Sequence, residues 1–281
     1  MTKVLTQACI SVARQLPRGG WRLVRWAARR DPAIQCVYCQ VRGVPRPVDL
    51  DCRDKGCVRF FLTGDGGGSR GVRALLPRLL RRGDFFLDVG ANYGMVSMVA
   101  AEAVGAEGRV VAVEALSTVA DVLSRTFADH PNVKVLPVAI SETTGTVEFF
   151  QTEGSVLSGL SEKIGGRMLR VPSRRLSDVV QEEGQPTVLK VDVEGSEVQS
   201  FNSAADTLSG QNCPIVIFEA LSEQELMDSK AAISRMHGGS GTFHRISRAG
   251  ALRRLELPKN TSDCVYVPDH LSERVRGLME A

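Results

Sequence analysis

One stretch constrains this chain more than any other: Phe85-Phe86-Leu87-Asp88-Val89 is a short apolar run carrying a single acid, and it opens at once into Gly90-Ala91-Asn92-Tyr93-Gly94. The run suits a parallel strand buried on both faces. The two glycines allow a tight turn with close backbone approach, and Met95 to Ala101 suits the helix that follows. Strand, glycine turn and helix make one βα unit of the kind that binds nucleotides at strand ends. The dinucleotide fingerprint needs three glycines spaced G-x-G-x-x-G, whereas Asp88, Gly90 and Gly94 give D-x-G-x-x-x-G. That spacing favours S-adenosylmethionine over NAD, and it ranks an NAD oxidoreductase last.

A second signal lies downstream. Arg109 to Val113 reads as the next strand, with Glu114 at its end. An acid about 20 residues beyond the glycine turn is where a nucleotide-binding unit places its partner for the ribose hydroxyls. Asp88, Gly90, Asn92, Gly94 and Glu114 are therefore the candidate cofactor residues. Ser141, at the end of the expected third core strand, is a candidate contact to the adenine, with turn capping as the alternative duty.

Further along, Val188-Leu189-Lys190-Val191-Asp192-Val193-Glu194-Gly195 joins an apolar strand to a charged cluster. If the strand continues, Lys190, Asp192 and Glu194 share one side. Side chains at the carboxyl ends of strands line the ligand crevice of an open α/β sheet, so this cluster is expected beside the glycine turn. A structural ion pair is the competing reading, and the two are compatible. Glu219, ending another apolar run from Pro214 to Phe218, is expected to complete the pocket.

In order, FLDVGANYG, VVAVEA, VAISE with GTVEFF, VLKVDVEGSEVQ and IVIFEA resemble the pattern of FkbM-type methyltransferases, over roughly residues 35 to 270. The most specific part is Lys190-Val191-Asp192-Val193-Glu194-Gly195, similar to the family's K-x-D-x-E-G. Glu114-Ala115 departs from the Glu-Pro common there and keeps the carboxylate. The resemblance implies O-methylation from S-adenosylmethionine. Within it, Asp192 is the first candidate for base or acceptor-orienting carboxylate and Glu194 the second, while Lys190 orients a carboxylate or stabilises an oxyanion. A divalent metal on Asp192 and Glu219 is chemically admissible, but two carboxylates do not specify one and none is assigned. The expected acceptor is a hydroxyl of a small molecule, natural product or glycan. An RNA or lipid-linked acceptor, or a non-catalytic S-adenosylmethionine-binding protein, stands as the alternative.

With 281 residues, 43% of them hydrophobic, the chain can build one large α/β domain with an appended element. The expected fold is a doubly wound, mostly parallel sheet of the Rossmann-like class I methyltransferase kind. An N-terminal β cap and an antiparallel C-terminal strand complete it. The divisions are residues 1–34 as a basic helical segment, 35–70 as the small β cap, and 71–281 as the cofactor-binding domain. Short strands are expected at Val37–Val41, Arg46–Asp51 and Val58–Leu62 in the cap, and one strand over Val133–Ile140 in the core. Ser117 is the expected N-cap of the helix after Glu114. The resemblance implies that the insert holding Ser155, Ser158 and Ser161 borders the acceptor site; by their residue types they read as an adaptable polar lid or, equally, as an ordinary surface loop.

Net charge is only +3, but residues 1–35 carry +6 and the remainder −3. Arg18, Arg22, Arg25 and Arg29 recur at helical spacing with Trp21 and Trp26 between them. A solvated helix packed through Leu23, Val24 and Ala27 is the favoured reading, and contact with nucleic acid or an anionic membrane the other. No apolar run reaches the roughly 18 residues that span a bilayer, and a cytoplasmic location is expected. Seven cysteines include Cys36-x-x-Cys39 with Cys52 and Cys57; their irregular spacing favours buried thiols over zinc. His244 offers a proton shuttle, though a lone histidine is more often structural. Nothing in the sequence fixes an oligomeric state.

Overall fold

The computed structural model of the protein describes residues 11–13, 15–16, 19–32, 35–64, 68–152, 159–160, 166–205, 207–255 and 262–280. The chain opens with helix α1 (Gly20–Ala28), followed by the antiparallel pair β1 (Cys36–Cys39) and β2 (Val48–Asp51). Helices α2 (Lys55–Thr63) and α3 (Arg70–Leu79) lead into the core. There β3 (Phe85–Val89), α4 (Met95–Val104), β4 (Arg109–Val113), α5 (Ser117–Thr126) and β5 (Val133–Leu136) alternate.

A three-stranded excursion follows, made of β6 (Ala139–Ile140), β7 (Gly145–Gln151) and β8 (Arg167–Arg174). The chain then returns through α6 (Leu176–Glu183), β9 (Val188–Val191), α7 (Glu197–Asn202), β10 (Ile215–Ala220) and α8 (Glu223–His237). It closes with β11 (Gly241–Ile246), β12 (Leu252–Arg254) and β13 (Ser262–Pro268).

Eight of these strands form one sheet in the order β12-β11-β13-β10-β9-β3-β4-β5. The pairs from β10 to β5 are parallel, and β13 runs antiparallel between β10 and β11. Helices α3 and α4 cover one face of the sheet and α6, α7 and α8 the other, each face with its own apolar core. This is the doubly wound α/β arrangement with its antiparallel C-terminal strand. From β3 the chain winds outward to β4 and β5, then crosses back to β9 on the other side of β3. Such a reversal leaves a crevice at the carboxyl ends of β3 and β9.

Three local expectations need correction. Val58–Leu62 lies in α2, not in a strand. Asp54 caps that helix by accepting from the backbone N–H groups of Gly56 and Cys57, and Cys57 and Val58 are its buried face. Val133–Ile140 is two strands in different sheets, because Pro137 between them has no N–H to offer a ladder. Ser117 begins α5 but does not cap it; the cap residue is Leu116, whose N–H donates to the Glu114 carboxylate. The cap region is otherwise one hairpin and a helix, with β1 starting at Cys36 and β2 at Val48. Among the described residues no helix is long and apolar enough to cross a membrane.

Candidate functional site

At the crevice between the ends of β3 and β9 lies a cavity of about 440 Å³, a size suited to a small-molecule ligand. Its walls come from the turns after β3, β4, β9 and β10, with Phe60 of α2 and Arg73 of α3 closing the side. Gly90, Asn92, Glu114, Lys190, Asp192, Glu194 and Glu219 all line it. Asp88, Gly94 and Ser141 do not.

Gly90 has φ +81°, and a Cβ there would stand 1.9 Å from the Asp192 carbonyl oxygen. The close approach made possible by this glycine is therefore to the turn after β9, and it locks the two turns together. Gly94, at φ +78°, serves packing: a Cβ would run into Leu123 and the ring of Phe127. Asn92 takes the left-handed region at φ +50°. Its N–H donates to one Glu114 oxygen at 3.0 Å, and the Leu116 N–H donates to the other at 2.9 Å. Glu114 thus clips the glycine turn to the end of β4. Burial pushes its pKa up to about 7; the two N–H groups and Lys190 oppose the rise, and Asp88 adds to it.

The register of β3 on β9 sets Asp88 directly opposite Lys190. Asp88 is fully buried and accepts from the Ser97 hydroxyl at 2.6 Å, while the Lys190 ammonium lies 3.1 Å from its other oxygen. The same ammonium reaches Asp192 at 3.3 Å and donates to the Gly90 carbonyl at 3.3 Å. Burial disfavours the charged lysine, but the Asp192 and Asp88 carboxylates outweigh it, and the net shift is upward. Lys190 is the buried hub that ties Asp88, the glycine turn and Asp192 into one unit.

Strand β9 ends at Val191, so the expected single-sided row of Lys190, Asp192 and Glu194 is interrupted. Lys190 and Asp192 still meet. Glu194 sits in a turn at φ +57°, a conformation that costs a side-chain-bearing residue about 1–2 kcal/mol. Glu197, in the first turn of α7, folds this segment by accepting from the N–H groups of Val193 (3.0 Å) and Gly195 (3.1 Å). Burial raises its pKa, and those N–H groups oppose the rise.

Asp192, Glu194 and Glu219 bring carboxylate oxygens within 4.8 Å of one another. Glu219 pairs across the sheet with Asp263 of β13. Burial, followed by the Asp192, Glu194 and Asp263 charges, lifts Glu219 to about 8. Burial and Asp192 lift Asp263 to about 6, with Lys190 and Arg73 opposing. Glu219 and Asp263, facing each other across the sheet, therefore titrate as a coupled pair near neutral pH. Asp192, Glu194 and Glu219 also offer the oxygen donors a hard divalent cation takes, although such an ion needs about six ligands and these supply three residues.

Ser141 is engaged in its own turn: its hydroxyl donates to the Thr143 carbonyl at 2.7 Å and accepts from the Thr143 N–H. The capping duty is the one it performs. The ring of His244 pairs with Thr242 at 2.8 Å, away from the cavity, and burial lowers its pKa. Ser155, Ser158 and Ser161 lie outside the described residues. Among the described residues the cysteines form no cluster of three metal ligands. Glu197, Asp263 and Arg73 were not foreseen. For Glu197 a signal existed, an acid two residues beyond the Gly195 turn at the start of a helix; for Asp263 and Arg73 only the folded sheet brings them near.

Residues 88–238 match the family model described as the Methyltransferase FkbM domain. A search of curated proteins finds no match. Among solved structures the chain is similar to an S-adenosylmethionine-dependent O-methyltransferase of Thermotoga maritima, at 15% identity and a TM-score of 0.40, covering 70% of this chain and 63% of that one. It therefore spans less than two thirds of that protein. It is also similar to the O-methyltransferase TomG of Streptomyces achromogenes (14% identity, TM-score 0.40, 70% and 78% covered). Fibrillarin of Aeropyrum pernix, bound to S-adenosyl-L-methionine, is a third (12% identity, TM-score 0.40, 70% and 75% covered).

Proposed function

The chain belongs to the FkbM methyltransferase family, and on that premise we propose that it moves the methyl group of S-adenosylmethionine to a hydroxyl of a small molecule or glycan. One observation carries this reading: a nucleotide-type glycine turn with its clipped Glu114 and a carboxylate cluster beyond β9 face the same cavity. The Gly90 to Glu114 side takes the cofactor, with ribose hydroxyls donating to the outer lone pairs of Glu114. The side bounded by Asp192, Glu219, Phe60 and Arg73 takes the acceptor.

Methyl transfer is an in-line displacement. The acceptor oxygen forms a bond to the methyl carbon as the carbon–sulfur bond breaks, leaving S-adenosylhomocysteine and a methyl ether. The hydroxyl proton passes to a carboxylate. Asp192 is held in place by Lys190 and is the residue assigned that proton, with Glu194 and Glu219 beside it to share the load.

Labelled S-adenosylmethionine with a panel of hydroxyl, amine and carboxyl acceptors tests this reading, with product linkage read by mass spectrometry. The expected product is a methyl ether. Asp192→Asn should lower turnover by about 10²–10⁴ while S-adenosylhomocysteine binding persists. Methylation on nitrogen, or unchanged turnover in that variant, would overturn the assignment. Repeating the assay with chelator and with added magnesium decides whether the three carboxylates also hold a cation.

A further inference from the structure

Helix α1 has two faces with different duties. Val24, Ala27 and Ala28 are fully buried with Ala13, Cys52 and Val58, and Arg25 turns inward to donate to the Arg53 carbonyl at 2.9 Å. The apolar stripe is thus consumed by the fold, which removes the usual route by which an amphipathic helix sinks into a bilayer. The outward face is of another kind. Arg22, Trp26 and Arg29 follow one another at i, i+4 and i+7, all exposed, and Arg30 lies with its guanidinium 4.4 Å from the Trp26 ring centre.

Trp26 is 45% exposed, and just before it in the chain Val12 and Leu16 are 50% and 45% exposed. Aliphatic side chains contribute nothing to a polyanion such as RNA. They do gain at the boundary between lipid headgroups and acyl chains, where tryptophan and arginine also concentrate. Along the sequence the charge runs the same way, +6 in residues 1–35 and −3 in the remainder, and on the outward face Arg22, Arg29 and Arg30 are exposed, so an anionic surface attracts this helix.

We propose that the outward face of α1 docks the protein on an anionic phospholipid surface, by peripheral adsorption with Trp26 at interfacial depth. Helix α1 packs on α2, and α2 contributes Gly56, Arg59 and Phe60 to the cavity wall. Two helix layers, α1 and α2, each about 10 Å across, then stand between the lipid and the cavity. If the methyltransferase reading holds, this brings acceptors presented at a membrane within reach. The docking itself does not depend on that reading.

Flotation of the full-length protein tests the proposal, using vesicles of phosphatidylcholine alone and of phosphatidylcholine with phosphatidylglycerol. Binding is expected to the anionic vesicles at low salt, with release at high salt. Arg22→Glu with Arg29→Glu should weaken partition at least about tenfold. Brominated acyl chains should quench tryptophan emission in the wild type and much less in Trp26→Ala, a check that stands even if the charge reversal fails to fold. Absence of binding to anionic vesicles would overturn the proposal, as would binding indifferent to salt and to charge reversal. Salt-sensitive capture of single-stranded RNA without vesicle binding would overturn it in favour of nucleic acid.

Discussion

The turns after β3 and β9 use the same device, a buried glutamate that collects backbone N–H groups, and they put it to different ends. Glu114 reaches the glycine turn from the neighbouring strand, across 22 positions of sequence, by its bond to Asn92. Glu197 folds its own turn from four residues away. The first turn is consequently held by the sheet and presents Gly90, Ala91 and Asn92, none of them charged, to the cavity. The second is held locally and presents Asp192 and Glu194, the latter in a strained conformation. A preorganised cradle suits a ligand whose shape never varies. A turn with stored strain and clustered charge suits the reacting end of a site. Gly90 and Lys190 bind the two turns into one body.

The comparison breaks most severely at Gly90. Gly90→Ala should cost about 2–4 kcal/mol in denaturant unfolding, since the left-handed backbone penalty adds to a clash with Asp192. Gly43→Ala, also left-handed at φ +74° but with no atom nearer than 3.9 Å, should cost only about 1 kcal/mol. Equal losses at the two sites would refute the coupling of the turns.

Next in size is the pair of clips. Glu114→Gln and Glu197→Gln each leave one amide oxygen for two donors and should cost about 1–3 kcal/mol near neutral pH. Their consequences should differ: Glu114→Gln weakens S-adenosylhomocysteine binding, whereas Glu197→Gln mainly lowers turnover. Glu114 also carries a pH signature. Its folded pKa of about 7 exceeds the ordinary 4.5, so the folded state binds the extra proton. That contribution to stability is complete below about pH 4.5 and is lost as pH rises through about 7. Melting midpoints of the ligand-free protein should fall across this window, with Asp263 (about 6) and Glu219 (about 8) sloping the same way. The slope should be shallower in Glu114→Gln.

Glu194→Gly should relieve strain and stabilise the fold by roughly 0.5–1 kcal/mol while reducing turnover. Destabilisation would mean that the contacts of Glu194 outweigh its backbone conformation. Smallest of all, Ser141→Ala should cost about 0.5–1 kcal/mol and leave cofactor affinity unchanged, because its hydroxyl is spent within its own turn.

Much of this was legible in the chain because periodicity and punctuation carry it. The run at Phe85–Val89 with its glycines, and the runs ending at Glu114, Asp192 and Glu219, place the central strands and bring their ends together. Less legible was the division of labour within a motif. Gly90 and Gly94 look alike in sequence, yet one meets a facing carbonyl and the other two apolar side chains of a later helix. Of the two duties open to Ser141 the turn bonds are the visible one, and the sequence could not separate them because Pro137 diverts the chain into a second sheet before reaching it. Val58–Leu62 carries β-prone side chains, but the Asp54 cap and tertiary packing favour a helix. Asp263 acquires its meaning only from its register opposite Glu219.

The most direct test is calorimetric titration of the folded wild-type protein with S-adenosylhomocysteine between about pH 6 and 8, in buffers of differing ionisation enthalpy. Ribose hydroxyls favour the ionised Glu114, so the account predicts one ligand per chain, affinity rising by up to about tenfold per pH unit below 7, and release of a proton on binding. No binding would contradict the assignment of the cavity, and binding without pH dependence or proton release would contradict the placement of the ribose on Glu114.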